Sequence, residues 1–285
     1  MLRNVEKVYK EGDMEYTRRQ LKSVLYGLAV ADALGVPYEF KMRGAFHCDT
    51  MVGHGTHDQP AGTWSDDTAM ALATLDSLLD HDGDVDSDDL LHRYRDWLYN
   101  GEYTPDNSVF DVGGTCLMAI RTGRGLSGER DNGNGSLMRI APAAFFDISD
   151  DDIRRISAVT HAHPMSCEAC VLYVHVLRHL LDGVPPRDAV AQEYGRIWEN
   201  PEDEISSSGF VRHTLEASLW CLTTTENYRD CVLRAVNLGG DTDTTACVAG
   251  ALAGAAYGFE AIPRDWVETL RGSTQLDAMA ERYRL

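Results

Sequence analysis

The residues with the most chemistry to offer lie in the stretch Asn237-Leu-Gly239-Gly240-Asp241-Thr-Asp243-Thr244. Asp241 and Asp243 alternate with threonines just before a run, Thr245 to Ala256, that carries no charge. Such a run reads as a helix buried on every side, and its first turn offers both acids free amides and the positive end of the dipole. Capping explains one acid. Two acids with Thr244, behind a glycine pair, exceed that need, and negative charge in a buried helix mouth is costly unless a cation or donors compensate it. The arrangement recurs upstream, where Ser65-Asp66-Asp67-Thr68 opens an alanine-rich apolar run with Ser65 in the N-cap position. Two such mouths facing each other would supply four carboxylates and two hydroxyls. That all-oxygen set suits Mg²⁺, Mn²⁺ or Ca²⁺ rather than Zn²⁺.

The elements that must position these residues are helices. Leu21, Val24, Leu25, Leu28 and Ala29 keep helical spacing within Met14–Ala33, with stop signals at Gly35 and Pro37. Asp32 and Glu39 lie near that helix end, where the dipole disfavours negative charge, so helix stability explains neither. Residues 41–62 read as a long loop. Further helices are expected over 88–99, from about 116, over 150–160, through Cys167 to about Leu181, and over 186–198, 209–223, 227–237, 241–257 and 263–283. Ala246, Gly250, Gly254 and Gly258 recur every fourth position, which predicts a face bare enough for a second helix to approach closely. No strand pattern, linker or repeat is evident. The chain reads as one all-α domain over 15–285, preceded by a flexible arm over 1–14.

Two glycine-punctuated turns stand out, Asp111-Val-Gly-Gly-Thr115 and Asn132-Gly133-Asn134-Gly135-Ser136-Leu-Met138. The glycine pair after Asp111 permits close backbone approach; the second turn is not a Walker loop, but a turn rich in amides can bind phosphate or sugar. Asp80–Asp89 superficially resembles an EF-hand loop but lacks its glycine and terminal glutamate, and reads as a solvated acidic turn. Cys167, Cys170, His175 and His179 read as core thiols and ordinary helical histidines rather than a zinc site.

The net charge of -19 arises from 29 Asp and 16 Glu against only four Lys and 22 Arg. Such a field disfavours nucleic acid as a partner. Dense surface carboxylates are tolerable where concentrated salt screens them, so a halophilic origin is expected. No signal-peptide pattern and no long apolar segment is present, which predicts a cytoplasmic protein without a membrane partner. The seven scattered cysteines fit reduced core residues. A monomer is expected.

Taken together, Ala31-Asp32-Ala-Leu-Gly-Val-Pro-Tyr-Glu39, Trp64-Ser65-Asp66-Asp67-Thr68, Asp111-Val-Gly, Gly133-Asn134-Gly135-Ser136-Leu-Met138-Arg and Gly239-Gly240-Asp241-Thr-Asp243-Thr244 resemble the ADP-ribosylglycohydrolases, and Thr160-His161-Ala-His-Pro looks like a sixth motif. The resemblance implies an all-α, compact, orthogonal multi-helix domain with a central cleft for two divalent cations, Mg²⁺ or Mn²⁺. It implies Ser65, Asp66, Asp67, Asp241, Asp243 and Thr244 as metal ligands. Many members carry threonine where this chain has Ser65, which keeps the hydroxyl oxygen. Glu39 and Asp111 would border the scissile bond as the catalytic acids. Gly133, Asn134, Gly135, Ser136, Met138 and His161, with Gly239 and Gly240, would bind substrate. The implied activity is removal of ADP-ribose from a modified protein side chain, arginine first, with serine-linked and small ADP-ribosyl compounds also open. The alternative is a catalytically silent ADP-ribose-binding or toxin-masking protein. The chemistry fits the residue types: carboxylates stabilise an oxocarbenium-like ribosyl centre, and Glu39 or Asp111 moves the proton.

Overall fold

The computed structural model of the chain describes residues 16–283. The arm expected over 1–14 lies outside the described residues. The helices are α1 (Arg18–Gly35), α2 (Asp66–Asp80), α3 (Ser87–Asn100), α4 (Gly114–Thr122), α5 (Asp150–Ala158) and α6 (Pro164–Leu181). They continue as α7 (Pro186–Glu193), α8 (Val211–Thr223), α9 (Tyr228–Asn237), α10 (Thr242–Tyr257), α11 (Arg264–Thr269) and α12 (Ser273–Arg282). Short 3₁₀ turns join several of them, and among the described residues only isolated backbone bridges occur in place of strands. The expected all-α class is the observed one.

The axis of the domain is the pair α1 and α10. α10 is buried from Thr242 to Gly254 and is packed by α1, α2, α6, α8 and α9. The absence of charge from Thr244 to Tyr257 follows from that position. α1 approaches it backbone to backbone. A Cβ added at Gly27 would sit 2.4 Å from the Gly250 carbonyl oxygen, and one at Gly254 would sit 2.3 Å from that of Ser23. The four-residue recurrence of small residues therefore predicts the contact at Gly250 and Gly254. Gly258 serves differently, ending α10 with φ of +81°. Two buried tyrosines tie the pair to its neighbours: the Tyr228 hydroxyl donates to the Gly27 carbonyl at 2.7 Å and the Tyr173 hydroxyl to that of Val248 at 3.0 Å.

Several expected boundaries move. α1 begins at an N-cap, Thr17, in a capping box with Gln20. It ends at Gly35, as the stop signals predict, but Gly35 keeps helical backbone and leads directly into the 3₁₀ turn Val36–Tyr38. Gly35 is needed for space, since its Cβ would lie 2.3 Å from the Cα of Asp243. The helix expected over 263–283 is two helices, broken at Gly272, whose φ is +72°. The break lets the Arg271 N–H donate to the Gly62 carbonyl at 2.9 Å, anchoring the loop that enters α2. The helix expected over 186–198 ends at Glu193, before Gly195 with φ of +104°. Nor is the acidic turn 80–89 simply solvated. Arg93 donates to Asp80 at 2.7 Å and to Asp89 at 2.6 Å, and Arg282 donates to Asp80 at 2.6 Å.

Candidate active site

Both acidic helix mouths are positioned by the C-terminal end of α1. Asp32, fully buried, spends its carboxylate on α2. It accepts from the Ser65 N–H at 3.0 Å, the Thr68 N–H at 3.1 Å and the Thr68 hydroxyl at 2.6 Å. Burial raises its pKa and these donors oppose the rise. Within α2 the Ser65 hydroxyl, as expected, caps the helix by accepting from the Asp67 N–H at 3.2 Å. On the α10 side, the Thr242 hydroxyl donates to the Gly35 carbonyl at 2.8 Å, so α10 starts on the last turn of α1. One helix thus sets the distance between Ser65-Asp66-Asp67 and Asp241-Thr-Asp243-Thr244.

The two mouths meet. The Thr244 hydroxyl donates to Asp67 Oδ1 at 3.2 Å. Asp67 Oδ2, Asp241 Oδ1 and Asp243 Oδ2 are buried without any hydrogen-bond partner. Burial, then the neighbouring carboxylates, pushes Asp66, Asp67 and Asp243 well above the ordinary carboxylate range. Buried acids that carry unsatisfied oxygens and repel one another are a costly arrangement in isolation. Their oxygens are hard donors in the number and type that divalent cations take, so the donor set fits the Mg²⁺ or Mn²⁺ pair named above.

Glu39 and Asp111 stand above this floor. A donor atom from each of Glu39, His57, Asp111 and Asp243 lies within 4.8 Å of the others. Burial first, then Asp111 and Asp241, raises the Glu39 pKa, and burial also raises that of Asp111. His57 Nε2 makes a short hydrogen bond to Glu39 Oε2, and the Thr56 hydroxyl donates to the Glu39 carbonyl at 2.7 Å. His57 sits in the 3₁₀ turn Gly55–His57 of the loop 41–62 and was not singled out from the sequence, where nothing local distinguishes it.

Glu39, Asp66, Asp111, Asp241 and Thr244 line a cleft of about 370 Å³ whose wall also carries Gly133, Asn134, Gly135, Met138 and His161. Asn134 ties that wall to the acids by donating to Asp241 Oδ2 at 2.9 Å. The glycines admit His161, because a Cβ at Gly135 would lie 2.9 Å from its ring. The ring is held by the Thr160 hydroxyl at 2.8 Å, and burial, helped by Arg139, pushes its pKa down to about 3, so it is neutral. Arg139, fully buried, was also missed. It donates to the Tyr94 hydroxyl at 2.9 Å and to the Gly135 carbonyl, pinning the glycine turn from behind.

Three of the proposed substrate contacts lie off the cleft wall. Ser136 is fully buried, its hydroxyl accepting from Ser157 at 2.9 Å. Gly239 and Gly240, with φ of +74° and +73°, support the neighbouring strap: the Phe40 N–H donates to the Gly240 carbonyl at 2.7 Å and the Gly240 N–H to that of Lys41 at 2.8 Å. The residues weighed for zinc are otherwise engaged. His175 pairs with Asp150 at 2.8 Å, His179 pairs with Glu193 at 2.8 Å, and Cys167 and Cys170 are buried. A wider hollow of about 650 Å³ between residues 47–49 and 224–237 shares no residue with the cleft. Its Arg229 and Arg234 are already bonded to carbonyls at 3.0 and 2.9 Å.

Fold and cleft together define an all-helical domain built around an acidic, oxygen-rich centre. The chain belongs to the ADP-ribosylglycohydrolase family, whose model matches residues 14–285, and is an enzyme of that family. It is 32% identical to ADP-ribosylarginine hydrolase Tri1 of Serratia proteamaculans (strain 568), over 92% of this chain and 78% of the relative. It is also 32% identical to the ADP-ribosyl-[dinitrogen reductase] glycohydrolase of Rhodospirillum rubrum, over 86% and 87% of the two chains. A solved structure described as an ADP-ribosylglycohydrolase-related protein complex superposes with a TM-score of 0.80 at 32% identity, covering 93% of this chain and 96% of that one. No helix among the described residues is long and apolar enough to cross a membrane.

Proposed function

We propose that this protein is a divalent-cation-dependent hydrolase that removes ADP-ribose from modified protein side chains, the bond cleaved being the N-glycosidic bond to arginine. The observation that carries the proposal is the convergence of Asp67, Asp241 and Asp243, each with an unpartnered buried oxygen, beneath a cleft walled by Glu39 and Asp111. The arginine acceptor is supported by the relatives named ADP-ribosylarginine hydrolase.

Ser65, Asp66, Asp67, Asp241, Asp243 and Thr244 would hold two Mg²⁺ or Mn²⁺ ions. Those ions would neutralise the carboxylates and supply Lewis-acid stabilisation at the ribose. The cleft volume of about 370 Å³ suits a small-molecule group, within the range of roughly 300–1,000 Å³. Glu39 and Asp111, at its reactive end, take or give the proton that must move when the ribosyl bond to nitrogen breaks and water adds. His57 and Thr56 orient Glu39 for that task. The neutral His161 and the Gly133 and Gly135 backbone line the same cleft and suit the diphosphate and adenosine.

The test is release of ADP-ribose from matched arginine- and serine-ADP-ribosylated peptides, with chelator and after addition of Mg²⁺ or Mn²⁺. Release from the arginine peptide that disappears with chelator and returns with metal is the expected outcome. Tight ADP-ribose binding without release from either peptide would refute the enzyme reading.

A further inference from the structure

Each of the two acids above the cleft floor is joined to an aromatic residue through strained backbone. Glu39 precedes Phe40, whose φ is +63°, and Asp111, whose φ is +51°, follows Phe110. A bulky residue such as Phe40 is rare in the left-handed region, and such strain persists only where surrounding contacts impose it. Here the contacts are visible. The Phe40 N–H is bonded to the Gly240 carbonyl at 2.7 Å, and the Thr56 hydroxyl holds the Glu39 carbonyl at 2.7 Å. The result splays the dipeptide. Glu39 is 4% exposed and turned into the cleft, whereas Phe40 is 69% exposed and still lines it.

An apolar ring held in water by a strained backbone gains nothing from burial in the free protein, so packing does not explain it. The ring belongs to a rim. The His57 ring centroid lies 6.2 Å from that of Phe40 and 5.3 Å from that of Phe110, so three rings cluster beside Glu39 and Asp111, and Phe40 is the one that lines the cleft itself. Aromatic faces beside carboxyl groups form the environment that a planar, delocalised cation prefers: a π face to stack on and oxygen acceptors for its N–H groups. A neutral hydroxyl-linked acceptor would gain from neither.

We infer that Phe40 is the acceptor-side specificity residue, its ring stacking on the guanidinium of an ADP-ribosylated arginine while the ADP-ribose half occupies the cleft behind Glu39. The inference rests on the arginine reading above. It assigns the nucleotide no contact with Phe40, the diphosphate and adenosine being placed against His161 and the glycine turn.

The experiment uses the full chain loaded with Mg²⁺ or Mn²⁺ and three variants, Phe40→Leu, Phe40→Trp and Phe40→Asn. Two quantities are measured for each: KM and kcat on an arginine-ADP-ribosylated peptide, and the Kd of free ADP-ribose by calorimetry. Phe40→Leu is expected to raise KM about 2- to 30-fold, the span of a cation–π contact from exposed to desolvated. The Kd of ADP-ribose should stay within about twofold, and Phe40→Trp should restore KM or lower it. Asn tolerates the left-handed backbone, so Phe40→Asn should unfold no earlier than wild type while showing the same rise in KM. That variant separates loss of the ring from loss of the fold. An unchanged KM in Phe40→Leu overturns the inference, as does an equal loss of ADP-ribose affinity, which would place the ring on the nucleotide. Wild-type protein that releases nothing from the arginine peptide but is active on the serine peptide would refute the arginine reading itself, a result seen before any variant is made.

Discussion

Substituting Gly35 by alanine tests whether the spacing of the acids is set by backbone contact. The added Cβ would lie 2.3 Å from the Asp243 Cα, 2.5 Å from its nitrogen and 2.6 Å from the Thr242 carbonyl oxygen. Carbon atoms rest at about 3.5–4.0 Å, so the start of α10 must retreat by about 1 Å. Alanine gains about 1 kcal/mol over glycine in helix propensity. Overpacking against backbone, which has no rotamer to yield, costs about 1–3 kcal/mol or more, so the net effect is loss of stability. Gly250→Ala meets the Gly27 carbonyl at 2.3 Å and is the matched control, equally crowded but farther along α10 from the acids. Both variants should melt below wild type, by about 2–4 °C for each kcal/mol lost. Only Gly35→Ala should also weaken divalent binding measured by calorimetry below the melting transition. It should lose on the order of 10²-fold in kcat/KM, the penalty of a misplacement of about 1 Å. Wild-type metal affinity in a folded Gly35→Ala variant would refute the reasoning, as would equal loss of metal binding in Gly250→Ala.

Asp243→Ala should lower divalent occupancy and abolish turnover together. Glu39→Gln should keep metal and ADP-ribose yet lose about 10²–10⁴ in rate, and full activity in Glu39→Gln would remove it from proton transfer. Asp32→Ala leaves the Ser65 and Thr68 donors without their acceptor, at a cost of about 1–3 kcal/mol, and divalent affinity should fall although Asp32 is not among the proposed ligands; calorimetry together with thermal unfolding checks both. Thermal stability should rise as KCl approaches molar concentration, as 29 Asp and only four Lys suggest, and highest stability in dilute buffer would refute the halophilic expectation.

Much of the helical order was legible because it is written locally. The end of the helix carrying Cys167 to His179 is readable near Leu181, and the Ser65 cap is visible in its own hydroxyl. The pairing of Ser-Asp-Asp with Asp-Thr-Asp was also readable, since two excesses of acid at helix mouths share one explanation. What escaped depends on long-range contact. Asp32 could be flagged as an acid its own helix does not want, but not as the cap of another. Gly35 reads as punctuation, and does end α1, but its clearance of Asp243 shows only in the fold. His57 and Phe40 gain their meaning only once the loop 41–62 folds back onto Glu39. Arg139 gains its own once the glycine turn lies over its guanidinium.

The approach of α1 to α10 also bears on the order in which the molecule is made. The Thr242 hydroxyl and the Gly35 carbonyl it meets are 207 positions apart. α1 leaves the ribosome early, presenting a glycine-notched face whose partner has not been translated. Contacts so distant in sequence are formed late and slowly, and larger chains commonly pass through intermediates on the way. Until α10 emerges, Asp32 and the α2 mouth have no opposing carboxylates. Assembly of the candidate site therefore waits on α10, long after α1 and α2 have been made.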